Sequence, residues 1–304
     1  MEMSPSDGRR GRNRSRFAGA LTALLVLTAA ACTGQAADTH DPQHPSSSPA
    51  AESSANLTLP LDSYLLSFDQ LAQIGRARAL LIGQCMRRFG LDYQPPSASS
   101  VGLRTLNERR YGVTDPEAVA VDGYRLGDRD PRTHPVRPTD TPTGADRPEQ
   151  AVLSGRGATT VSGIPVPVGG CAGEAQRALD ARTPAVTDAY LPQRLSREGF
   201  WRSRDDARVQ AVTRRWSECM RIAGFNYADP FGPPADPRFA GALSPTEITV
   251  AKSDVACKKQ ANLVGAWSGV ESEIQRGLIS EHSADLEKIR QANEAQLRFV
   301  VTLG

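Results

Sequence analysis

Cys85, Cys171, Cys219 and Cys257 are the residues whose type and spacing say most about chemistry in this chain. Thiols serve disulfides, metal ligation or redox catalysis, and spacing separates the three. No pair here has Cys-x-x-Cys spacing and no histidine stands close by, so neither a metal nor a redox centre is expected. Two of the cysteines lead nearly the same stretch: CMRRFGLDY from Cys85 and CMRIAGFNY from Cys219. The shared pattern is Cys-Met-Arg-x-x-Gly-apolar-Asp/Asn-Tyr-x-x-Pro, ending at Pro96 and Pro230. Cysteine and methionine number five and four in 304 residues, so their joint recurrence in register points to two related halves. Cys171 opens CAGEA and Cys257 opens CKKQA, a weaker second match. Four cysteines allow about three connectivities. The repeat favours one bridge within each half, Cys85–Cys171 and Cys219–Cys257.

Helices must position these cysteines. The first is expected to start at Pro60 and Asp62 and to bury Leu65, Phe68, Leu71, Ala72, Gly75, Ala79, Ile82, Met86 and Phe89, stopping at Gly90. A second repeats the design. Ser203 to Asp206 resembles a capping box, Val209, Val212, Trp216, Cys219, Met220 and Ala223 form the apolar stripe, and Gly224 ends it. A third opens with Ser244 as cap, Pro245 at the first helical position and Glu247 at the third, and carries Ile248, Ala251, Val255 and Cys257. A short helix spans about 171–182, and a last helical stretch runs over about 270–301. TTVSGIPVPV reads as one short extended piece. Within the repeat, Met86 and Met220 read as core, Tyr93 and Tyr227 as pins for the departing chain, and Arg87 and Arg221 as positive charge at helix C-termini.

The halves differ in length. Cys85 and Cys171 lie 86 positions apart and Cys219 and Cys257 lie 38 apart. The surplus falls in a Gly-, Pro-, Asp- and Arg-rich region from Ser97 to about Gln150, expected to form a long irregular loop with one helical turn at Asp115-Pro116-Glu117. Long loops on a stapled scaffold commonly carry binding. Arg110, Tyr111, Tyr124 and Arg125 are the candidate ligand-binding residues there, since arginine and aromatic side chains are favoured anchors. The alternative is that they pack the loop onto the helices. Deleting residues 100–150 is expected to abolish partner capture if binding resides there.

The N-terminus addresses location. Arg9, Arg10, Arg12, Arg14 and Arg16 precede fifteen uncharged residues, Phe17 to Ala31, the layout of a secretory signal peptide. That run is shorter than the roughly 20 residues of a spanning helix. It ends in LTAAAC, and Cys32 after three alanines resembles the lipobox of bacterial lipoproteins, with Ala29 where leucine is commonest. The resemblance implies cleavage before Cys32 and its modification by lipid, acyl chains such as palmitate included. Residues 1–31 hold five arginines and two acids, so the formal charge of +2 becomes −1 without them, which argues against a nucleic-acid partner. Residues 32–58 are rich in Ser, Ala and Pro and read as a flexible tether spanning on the order of 30 Å.

The expected organisation is a signal peptide over 1–31, a lipid-anchored tether over 32–58, a first helical half with the long loop over 59–200, and a second half over 201–304. The fold class is mainly α, a disulfide-stapled helical domain of two related halves with a long irregular loop insertion. With its lipobox, Ser/Pro-rich tether and helices ending in CMxxxGFxY-type motifs, the chain resembles an uncharacterised group of actinobacterial secreted lipoproteins. That resemblance implies location and architecture and brings no activity. No Gly-x-Ser-x-Gly, Walker loop or His-Glu-x-x-His occurs, and Asp205-Asp206 sits where helix capping explains it. The expected role is a non-catalytic binding or accessory protein of the cell envelope, on the outer face of the cytoplasmic membrane and without a cofactor. Its partner would be an envelope protein, a cell-wall polymer or a small ligand. An envelope-associated hydrolase and a purely structural component are the alternatives.

Overall fold

A computed structural model describes residues 54–95, 101–135 and 147–303. Cys32 and the signal segment lie outside the described residues. Nine α-helices and one two-residue-per-strand hairpin account for the regular structure among them, apart from short 3-10 turns.

Helix α1 (Phe68–Arg88) starts later than its sequence signals imply. Pro60–Tyr64 forms a separate 3-10 turn, and the cap is Ser67, whose side chain and that of Gln70 satisfy each other's backbone amides. Its stripe is also rotated in the first turns. Phe68, Leu71, Ala72 and Gly75 are exposed, whereas Ala77, Ile82, Cys85 and Met86 are buried. Packed on α1 are α3 (Pro148–Ser154) and α4 (Gly170–Asp180), with Val152, Cys171 and Ala175 completing a small core around the first bridge. Between α3 and α4 the strands β1 (Thr160–Val161) and β2 (Ile164–Pro165) pair antiparallel, where one extended piece was expected.

The second bridge sits in the largest core, built from α6 (Ala207–Ile222), α7 (Pro245–Ala261) and α8 (Leu263–Glu281). Ser244, Pro245 and Glu247 open α7 as the sequence implies, with Ser244 Oγ accepting from the Glu247 amide at 3.1 Å. The cap of α6 is Asp206 alone, because Ser203 belongs to the preceding helix α5 (Leu191–Arg204). α5 has no sequence-level apolar stripe. Beside Leu195 it buries Ser196, Gly199 and Ser203, small residues that let it lie close to α8; a Cβ at Gly199 would approach the Gln275 side chain at 3.0 Å. The expected boundary at 200/201 therefore falls inside a helix. The last helical stretch begins at Leu263 and is two helices, α8 and α9 (Ser283–Val301), joined at His282. The break redirects Leu286 and Ile289 onto Leu61, Leu191, Leu195 and Leu278.

The described part of the long loop, residues 101–135, packs on the body. Within it α2 (Pro116–Asp122), capped by Asp115, packs on α7, and Tyr111, Val113, Val119 and Tyr124 are part of the α6–α8 core. Folding thus packs a segment of the first half into the core of the second. The same core extends into the expected tether. Ser54 is fully buried, its amide donates to Thr114 Oγ1 at 3.0 Å and its hydroxyl to the Glu108 carbonyl at 2.7 Å. Asn107 Nδ2 donates to the Leu57 carbonyl at 3.0 Å. Residues 54–58 are body rather than tether.

Candidate functional site

The two cysteine-led stretches are two helix endings of one design. Cys85 bonds Cys171 and Cys219 bonds Cys257, with Cα separations of 5.5 and 5.6 Å, as the repeat implies. After each cysteine the helix closes with the same backbone bonds. The Leu91 amide reaches the Met86 carbonyl at 3.2 Å, and the Phe225 amide reaches the Met220 carbonyl at 2.8 Å. The intervening glycines, Gly90 and Gly224, have φ of 73° and 91°, the left-handed conformation that this six-residue closure requires. Met86 and Met220 are core, at 3% and 0% exposure. The second cysteines are less alike, because Cys171 opens α4 whereas Cys257 lies near the end of α7. Each nonetheless stacks one turn before a buried alanine, Ala175 or Ala261. Two disulfides point to an oxidising, extracytoplasmic compartment. No described helix is long and apolar enough to cross a membrane.

Tyr111 and Tyr124 are buried and Arg110 and Arg125 half-buried, and the contacts of all four are internal, in keeping with the alternative that they pack the loop onto the helices. Arg110 Nε donates to both oxygens of the fully buried Glu271, at 2.9 and 3.1 Å, and its Nη2 donates to Glu271 and to the Ser196 carbonyl. Tyr111 Oη donates to Glu271 Oε2 at 2.8 Å and Gln275 Nε2 to Glu271 Oε1 at 2.8 Å, while Gln275 Oε1 accepts from the Leu61 amide at 3.0 Å. Burial, with the Glu271 carboxylate beside it, pushes the Tyr111 phenol far up and keeps it a neutral donor. Arg125 pairs with buried Glu247 at 3.2 Å and donates to the Gly241 carbonyl at 2.6 Å. Tyr124 stacks on Phe239 with centroids 6.1 Å apart. A third ionic set locks the same segment: Lys258 Nζ donates to Asp254 Oδ2 and to the Val113 carbonyl, each at 3.0 Å, and Trp216 Nε1 donates to Asp254 Oδ1 at 2.9 Å. Arg110, Tyr111 and Arg125 are therefore means by which residues 101–135 dock on an apolar core, each bonded to a buried glutamate. Deleting 100–150 would remove core side chains, so it is a folding perturbation rather than a test of capture.

The surface offers a different candidate. Trp201, on the solvent side of α5, is 55% exposed, the most open of the three tryptophans; Trp216 and Trp267 are at 0% and 1%. Behind the indole stands a fixed aromatic cluster. Phe200 meets Trp201 edge-on at 5.3 Å and stacks on Trp267 at 5.4 Å, and Phe231 meets Phe200 and Trp267 edge-on at 5.9 and 6.0 Å. The Arg204 guanidinium lies 5.4 Å from the Trp201 ring centroid and pairs with Asp229 at 3.5 Å. Asp229 and Pro230 close the second copy of the cysteine-led repeat, so the duplicated turn delivers one wall of this site. Asp229 is itself held, accepting the Phe231 amide at 2.9 Å.

Two shallow depressions of about 280 and 370 Å³ meet at Arg204 and Asp229. One runs along α6 past Gln210, Thr213 and Arg214, and the other opens over Phe200, Trp201 and Phe231. The combination of an apolar wall with a few convergent polar groups is the usual make-up of a small-ligand site. A smaller cavity of about 50 Å³ beside Glu108, Arg109 and Arg125 is bounded by side chains already engaged in the docking of the loop. Among the described residues no group of three or more His, Cys, Asp or Glu side chains is arranged to hold a metal. Sequence reasoning missed Trp201 because α5 itself was not legible. The one signal available was a tryptophan next to a phenylalanine and an arginine cluster with no place in an apolar period.

Compared with known protein families, characterised proteins and solved structures, the chain shows no significant match to any.

Proposed function

We propose that this chain is an exported, lipid-anchored protein whose stapled helical body is a non-catalytic binding or accessory module of the cell envelope. The observation that carries the binding role is the cleft at Trp201. What sets Trp201 apart from the two buried tryptophans is a half-exposed indole backed edge-on by Phe200, flanked by an Arg–Asp pair and bordered by two depressions. Export is supported by the two bridges, and anchoring by the Arg-rich segment, the apolar run and Cys32. Two acyl chains on Cys32 would hold the body firmly at the membrane, at about 0.8 kcal/mol per buried CH2.

The test has two arms. Cells fed radiolabelled palmitate should label the wild-type chain and fail to label Cys32→Ser, which should be released from the membrane fraction. Chemical crosslinking in native membranes should join the wild-type chain to a discrete envelope component. An unlabelled wild-type chain defeats the anchor, and a chain that crosslinks only to itself defeats the binding role.

A further inference from the structure

We infer that the Trp201 cleft is a carbohydrate subsite in which the indole stacks against one face of a neutral pyranose ring. This rests on the reading of that cleft as the binding surface and specifies what it takes. A pyranose presents an apolar C–H face and an edge of hydroxyls that both donate and accept. The cleft matches both halves. Trp201 supplies a half-exposed ring that meets Phe200 edge-on at 5.3 Å, Phe200 stacks in turn on Trp267 at 5.4 Å, and with the Arg204 guanidinium 5.4 Å over one face of the indole a sugar ring would stack on the other. A stacking platform of that kind is useful only if it is rigid, since ordering a mobile ring on binding costs free energy.

The polar edge is mixed in the way hydroxyls require. Arg204 and Arg214 donate, Asp205 and Asp229 accept, and Gln210, whose Nε2 already donates to the Asp205 carbonyl at 3.2 Å, accepts through its Oε1. The two cationic and two anionic groups cancel. A polyanion would meet Asp205 and Asp229, and a polycation would meet the arginines, so a neutral ligand is the one the rim does not repel. An extended peptide draws its affinity from pairing to a sheet edge or from a row of apolar anchors. The cleft has a single exposed ring, and the hairpin at residues 160–165, the only strands among the described residues, lies in another part of the chain. The depression that Trp201 lines, about 370 Å³, lies at the small end of the roughly 300–1,000 Å³ of ordinary ligand sites, the size of a short saccharide rather than a long polymer.

Acrylamide quenching of intrinsic fluorescence, on the full chain in detergent, isolates the site because Trp216 and Trp267 are at 0% and 1% exposure and only Trp201 is open to quencher. The probes are the tetramer of β-1,4-linked N-acetylglucosamine and maltotetraose. At least one should shield Trp201 saturably. Measured by calorimetry, Trp201→Ala should weaken that binding at least about tenfold, while Trp201→Phe stays within about threefold, because the stack needs a ring rather than an indole. Because the side chain is half outside the fold, both variants should unfold at the wild-type temperature. The inference falls if neither sugar shields Trp201 at about 10 mM, or if Trp201→Ala binds as tightly as wild type. Shielding by a proline-rich peptide and by neither sugar overturns the carbohydrate assignment and leaves the cleft as a binding surface. Tighter, salt-sensitive binding of a sulfated polysaccharide overturns the neutral-ligand argument.

Discussion

Replacing Glu271 by alanine should be among the most damaging single changes in this protein. Glu271 is fully buried and accepts from Arg110, Tyr111 and Gln275 at once. Its loss leaves a guanidinium at 15% exposure without its carboxylate, and a buried phenol and amide without an acceptor. Breaking a buried pair from one side costs about 3–5 kcal/mol, and each stranded neutral group about 1–3 kcal/mol. The stranded groups relax together, so we place the total at about 4 kcal/mol. At about 2–4 °C per kcal/mol for a body of this size, the melting temperature should fall by about 8–16 °C. Thermal unfolding followed by circular dichroism without reductant measures it, with urea unfolding as a second reading. The double variant Arg110→Met/Glu271→Leu should recover part of the loss, because no charge is left unpaired. A fall of less than about 3 °C for Glu271→Ala, or a double variant worse than the single one, would refute the view that this ionic set docks the loop.

Further predictions concern the bridges, the repeat and the acid limb. Reducing the Cys219–Cys257 bridge, which closes 38 positions, should cost about 4 kcal/mol and the 86-position Cys85–Cys171 bridge about 4.6 kcal/mol in the chain-entropy account. Urea unfolding of Cys-to-Ser pairs tests this, and equal stability with and without reductant would contradict it. Gly90→Ala and Gly224→Ala should each cost about 1–2 kcal/mol, and by similar amounts, since an added Cβ meets nothing at either position and only the positive φ is strained. Clearly unequal costs would show that the two turns are not equivalent. The Asp130 carboxyl is held well below its ordinary 3.8 by hydrogen bonds from the Arg132 side chain, against a burial effect in the opposite sense. A depressed carboxylate stabilises the fold above its unfolded value, and that stability is lost as pH falls through the folded one. Unfolding free energy should therefore drop between about pH 5 and about pH 2, and Asp130→Asn should flatten that limb.

The cysteine pairing and the helix endings were legible because they are local or repeated. Met86 and Met220, Gly90 and Gly224, and the cap at Ser244 each follow from neighbours within a turn or from a second copy of the same design. What sequence could not show is long-range polar pairing. Arg110 and Glu271 lie 161 positions apart, and nothing near either names the other. A Gly-, Pro- and Arg-rich loop consequently reads as irregular, although in its described part Arg110 and Arg125 each pair with a buried glutamate. α5 escaped for a related reason: Ser196, Gly199 and Ser203 are buried by close approach to α8, and small polar residues give no hydrophobic period. The stripe of α1 was misphased over Phe68–Gly75, where apolar residues at helical spacing face outward. Trp201 belongs to the part that had to be seen, because its significance comes from exposure and from partners on other elements.

Site-specific photo-crosslinking in native membranes asks most directly whether Trp201 marks the working surface. A photoreactive residue would replace Trp201 in the full chain. Parallel chains would carry it at Val121 in the docked loop and at Ile222 at the end of α6, which are 68% and 74% exposed. A discrete adduct is expected from position 201, lost when Arg204 and Asp229 are both changed to alanine, and none of that adduct from 121 or 222. The same adduct from 121 with nothing from 201 would return the binding role to the loop and contradict the assignment made here.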